Sequence, residues 1–191
     1  MSGLNAEEVR VALTGHIYYV PLDTPLPTDL TAPTGEGVVD LGYTTPEGVS
    51  FTFSKETEDI MGWQSMDPLR RLVTAEPKSV NFTLRQLSRD TWLSTMGGTI
   101  TDNGGTYLWE PDESKQVEAG IIVDFEDSGI NYRFGFRRAA QSAEVEFSLV
   151  RTDAVNLPNT WTALATKDGS KSFFMATDDP AFAATTAEPG V

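Results

Sequence analysis

Apolar and polar residues alternate with a period of two in five separate stretches, the signature of strands with one face buried. Val49, Phe51 and Phe53 alternate with Ser50, Thr52 and Ser54, and Val80, Phe82 and Leu84 with Asn81, Thr83 and Arg85. Further on, Ile121, Val123 and Phe125 oppose Asp124 and Glu126, and Tyr132, Phe134 and Phe136 oppose Arg133 and Arg137. The fifth stretch sets Val145, Phe147 and Leu149 against Glu144, Glu146 and Ser148. Weaker strand patterns cover 9–19, 37–43 and 107–110. Turn residues fall between the runs, at Asp102-Asn103-Gly104-Gly105, Asp127-Ser128-Gly129 and Asp168-Gly169, so hairpins and antiparallel pairing are expected. One short helix is predicted over roughly residues 88–96: Ser88 caps it, Leu87 and Trp92 sit at staple positions, Trp92 and Met96 share a face, and Gly97 ends it.

Three segments break the alternation. Residues 21–37 carry Pro21, Pro25, Pro27 and Pro33 and read as an extended arm that must lie on something. Residues from about 55 to 78 form a long, hairpin-like excursion between two strong strands, bearing Ile60, Trp63, Leu69, Leu72 and Val73. Such an apolar ribbon either folds back on its own sheet or meets a partner. Residues 177–191, rich in Ala, Thr, Pro and acids, are expected to form a flexible C-terminal tail. The expected architecture is one mainly β domain over 1–176, an antiparallel β-sandwich or partly closed barrel.

Composition narrows the function. At 191 residues with 39% hydrophobic and 22% charged residues, the chain can bury one real core. It has no cysteine, so neither disulfides nor thiolate chemistry contribute. Glu7 and Glu8 stand where a secretory signal would need its apolar stretch, and no run is long and apolar enough to span a bilayer, so a soluble protein without a membrane partner is expected. Net charge is −14, with 14 basic against 28 acidic residues. That balance opposes nucleic-acid binding by phosphate neutralisation, and an acidic surface repels a duplex.

Catalytic signatures do not assemble. His16 is the only histidine, so no multi-histidine metal site can form. Gly97-Gly98 and Gly104-Gly105 lack the lysine and hydroxyl residue of a phosphate loop. Asp124 to Gly129 starts like a calcium loop, but position twelve is Gly135 instead of glutamate. Glu144 and Glu146 lie two apart on one strand face, a spacing typical of a solvated face rather than a hydrolytic pair.

The excursion carries a further signal. Lys55-Glu56-Thr57-Glu58-Asp59-Ile60 with Trp63-Gln64, the Arg70-Arg71 segment, the Phe82-Thr83-Leu84 strand and the Trp92 helix follow one another as in a known family. The opening Val11-Ala12-Leu13-Thr14-Gly15-His16-Ile17-Tyr18 and Leu41-Gly42-Tyr43 agree. Across roughly residues 9–175 the chain resembles the major tail tube proteins of actinobacterial siphophages. The resemblance implies hexameric rings stacked into a tube, with no enzyme activity and no cofactor. DNA would pass without specific binding through an acidic lumen, for which Glu56, Glu58, Asp124, Glu126, Glu144 and Glu146 are candidates. Trp63, Arg70 and Arg71 are candidate inter-subunit contacts, and the proline-rich arm is a second contact region. Implied partners are the chain itself and the tape-measure, tail-tip and terminator proteins, in the virion after assembly in the host cytoplasm. The alternatives are another tail component such as a terminator, and a carbohydrate-binding sandwich using Trp63, Trp109 and Trp161 as sugar platforms.

Overall fold

The computed structural model describes residues 4–112, 115–142 and 144–183. Twelve strands and one α-helix follow in the order β1 (Thr14–Val20), β2 (Val39–Asp40), β3 (Thr44–Phe53), β4 (Glu56–Met61), β5 (Pro68–Ala75), β6 (Lys78–Leu84), α1 (Arg89–Met96), β7 (Thr99–Asp102), β8 (Tyr107–Glu110), β9 (Glu118–Asp127), β10 (Ile130–Gln141), β11 (Leu157–Ala163) and β12 (Phe173–Thr177). Eight strands form one antiparallel sheet in the order β2-β1-β9-β10-β11-β6-β3, with β12 added beside β10. The pairs β4–β5 and β7–β8 are separate two-stranded hairpins. This is the mainly β, sandwich-like fold that the alternation predicts, with its single helix in place and no closed barrel.

The long β9–β10 hairpin organises the sheet. Its turn residues Ser128 and Gly129 have φ of 55° and 82°, the pair of positive values that a two-residue type I′ connection requires. A bulge between Phe136 and Ala139 bends β10, so its first half pairs with β12 and its last residues with β11. The sheet thereby coils over itself, and Phe51 of β3 comes within 5.0 Å of Phe134, ring centre to ring centre, while Phe53 meets Phe173 at the same distance. Ile17, Val80, Phe82, Ile121, Phe136 and Trp161 fill the space between the layers. The opposite face of β10 is covered too: a Cβ at Gly135 would collide with the ring of Phe174, so only glycine fits there.

The capping prediction for α1 holds in a variant form. The Ser88 hydroxyl accepts from the Thr91 N–H at 3.2 Å, and the Thr91 hydroxyl oxygen in turn accepts from the Ser88 N–H at 2.8 Å. Gly97, at φ 65°, closes the helix. Asn159 of β11 docks it, donating to the Thr95 hydroxyl and to the Leu157 carbonyl from within the core.

One strong strand expectation is corrected. Residues 144–150 form no strand, and Phe147, Leu149 and Val150 are exposed. Amphipathic alternation needs a neighbour with free backbone groups, and the end of β10 from which this segment departs is paired on both sides, with β9 and β11. The 9–19 pattern yields a strand only from Thr14, and the 37–43 pattern only the two residues of β2. Three strands escape the pattern: β7, β11 and β12. In β11 the buried set is Leu157, Asn159 and Trp161, so a polar residue hides the period and Pro158 argues against a strand.

Candidate functional site

Among the described strands, the two of the 55–78 excursion are the most exposed. Its strands β4 and β5 are paired with each other alone, and within them only Asp59 and Leu72 are even half-buried. It therefore does not fold back on the sheet. Two arginine–aspartate hydrogen bonds stiffen it, from Arg71 to Asp59 at 2.7 and 2.9 Å, and they hold the Asp59 carboxyl below the usual range. At its end Trp63 and Met66 are each 98% exposed, and Leu69 follows at 67%. Such apolar tips are rare on monomers without a partner surface. Arg70 is exposed and makes no ion pair among the described residues.

The six acidic candidates do not share one surface element. Glu56 and Glu58 lie on β4, within the same hairpin as Trp63, Arg70 and Arg71. Glu126 is exposed near the end of β9. Glu144 and Glu146 are exposed in the irregular segment after β10. Asp124 differs: it forms a bidentate pair with Arg133, whose side chain is 1% exposed.

Arg133 is a residue whose importance the alternation concealed. Its remaining N–H groups donate at 2.7 Å to the carbonyls of Asp29 and Thr31, so one buried guanidinium fastens the proline-rich arm to the sheet. Leu26 of the arm lies over Gly120, where a Cβ would strike it. This answers what the arm lies on: the face of β9 and β10 that carries Gly120, Asp124 and Arg133.

A second polar node ties the ends together. Asp179 accepts from the Tyr132 hydroxyl, from the Ala181 N–H at 2.9 Å and from Arg10 at 2.9 and 3.0 Å. Residues 178–182 are thus tethered, whereas 184–191 of the expected tail lie outside the described residues. The bond from Tyr132, then that from Ala181, then Arg10, hold the Asp179 carboxyl below its ordinary value. A depressed carboxyl stabilises the fold fully above the ordinary range and loses that contribution as pH falls through the folded value. Acidification from about pH 5 toward 2 should therefore raise amide exchange at Ala181 and Phe182 before the sheet opens, and Asp179→Asn should raise it at neutral pH. Exchange indifferent to both changes would show that the tether does not depend on the carboxylate.

Beside α1 lies an apolar groove of about 710 Å³, walled by Leu87, Trp92, Ile100, Tyr107 and Trp109, with Arg89 as its one charged lining residue. Trp109 fixes the β7–β8 hairpin here by donating to the Gly97 carbonyl at 2.8 Å and packing edge-on against Trp92. Trp161, in contrast, is fully buried in the core, so Trp63, Trp109 and Trp161 do not form one sugar platform. His16 bonds Asp40 at 2.9 Å on the surface. No cluster of three or more metal-ligating side chains occurs among the described residues, and no helix there is long and apolar enough to cross a membrane.

The described residues thus form a coiled antiparallel sheet with an exposed apolar hairpin and a proline-rich arm pinned to one face. The chain belongs to the phage tail tube protein family, whose profile matches residues 2–187. Membership makes it a structural protein of the virion tail that associates with copies of itself. A search of curated proteins finds no match.

Proposed function

We propose that the chain forms the tube of a long-tailed phage, six copies closing each ring and rings stacking around a channel through which DNA leaves. The observation that carries this reading is the β4–β5 hairpin, solvated on both faces and ending in Trp63 and Met66, on a subunit whose family self-associates. Trp63, Arg70 and Arg71 then contact a neighbouring copy, and the similarity of motifs extends the reading to siphophages of actinobacteria. The lumen is lined by carboxylates that repel passing phosphates. Glu56, Glu58, Glu126, Glu144 and Glu146 make no ion pair among the described residues, whereas Asp124 is paired with Arg133. The tape-measure, tail-tip and terminator proteins meet this tube inside it or at its ends.

Negative-stain electron microscopy of the purified chain over a range of concentrations tests the proposal. Hollow tubes or stacked rings with six subunits support it. Single rings that never stack would assign the chain to a terminator-like role instead.

A further inference from the structure

The hairpin tip and the apolar groove lie at opposite ends of one strand. The hairpin leads directly into Lys78, the first residue of β6, and is held at its base by the bond from the Ser54 N–H to the Pro77 carbonyl. The groove begins just beyond Leu84, the last residue of β6, where Leu87 and Arg89 lead into α1. Seven strand residues separate the two by roughly 20 Å. The hairpin and the groove of one chain therefore adjoin opposite ends of β6.

We infer that the tip of one copy, residues 62–69, docks into the groove beside α1 of a second copy, a specific head-to-tail contact within the assembly proposed above, on which this inference rests. The shapes agree, since a protruding indole and thioether meet a concave wall made by two tryptophans, a tyrosine, a leucine and an isoleucine. The charges agree as well. The loop 62–68 carries one charge, Asp67, and the groove lining carries one of opposite sign, Arg89; neither forms an ion pair among the described residues. Between identically oriented copies a tip and a groove at opposite ends make a heterologous contact, which repeats from copy to copy.

Because the chain has no cysteine, single thiols can be placed at will. Full-length chains carrying Met66→Cys are mixed with isotope-labelled chains carrying Leu87→Cys, or with chains carrying Lys167→Cys at the hairpin end as a control, and treated with a short bis-maleimide. Expected is a Met66–Leu87 heterodimer at least about tenfold more abundant than any Met66–Lys167 or Met66–Met66 product, that ratio reflecting a specific hot-spot contact. Asp67→Arg and Arg89→Asp should each lower the yield, and mixing the two reversed chains should restore it. Tubes that form while Met66 shows no preference for Leu87 would overturn this inference and leave the tube reading standing. Neither tubes nor cross-links at any concentration would overturn both.

Discussion

Trp63→Glu yields a folded chain that no longer forms tubes. The indole is 98% exposed in the single subunit, so its loss removes no core contact, and surface changes of this kind alter stability by about 0.5 kcal/mol or less. In the assembly proposed above the same position would be buried against a neighbour. Truncating a tryptophan at an interface centre costs about 2 kcal/mol or more, a factor of about thirty in affinity. The carboxylate adds a desolvation cost with no cation on its own tip to offset it, since the loop carries only Asp67. In the proposed stacked rings the loss would recur at every subunit, so a modest weakening per contact would be multiplied along a tube. The check has two parts: thermal unfolding, expected to match the parent, and electron microscopy at the concentration where the parent forms tubes. Normal tubes from this variant would exclude the hairpin tip as a contact.

Arg133→Ala should destabilise the chain by about 3–5 kcal/mol, the range for removing one partner of a buried ion pair. The substitution strips Asp124 of both of its hydrogen bonds from Arg133 and leaves the Asp29 and Thr31 carbonyls without their donor. The damage has a direction. With its fastening gone, the arm should lift from Gly120, so amide exchange should rise across 21–37 before the β6–β11 core responds. Urea unfolding gives the energy and residue-resolved exchange gives the location. Arg133→Met with Asp124→Leu, which removes both charges together, should recover part of the loss. A single-variant cost below about 1 kcal/mol would mean that water replaces the guanidinium easily and that the arm is held elsewhere.

These two residues also mark what alternation can and cannot reveal. Trp63 stood out in the sequence because an apolar residue inside a charged, non-alternating excursion has no obvious place in a sheet, and the structure then shows it exposed. Arg133 was not, because it sits at the polar position of an ideal alternating strand, between Tyr132 and Phe134, and reads as a solvated arginine. Its burial comes from the arm, about a hundred residues earlier in the chain, folding over it. Glu144 to Leu149 shows the converse failure. The period is perfect, yet pairing is decided by which sheet edges remain open, and none is open beside β10 at that point.

Local chemistry is what the sequence by itself determined: the antiparallel β class, the turn at Asp127-Ser128-Gly129, the capped helix at Ser88, the hairpin-like excursion over 55–78 and the overall acidity. Each follows from interactions between residues a few positions apart, or from simple counts. Only the tertiary structure decided that a bulge after Phe136 splits β10 between two partners, that Arg133 holds the arm, and that the groove beside α1 opens at the far end of β6 from the hairpin tip. These depend on long-range juxtaposition, in which side chains far apart in sequence share one volume, and a period of two carries no record of which volume that will be.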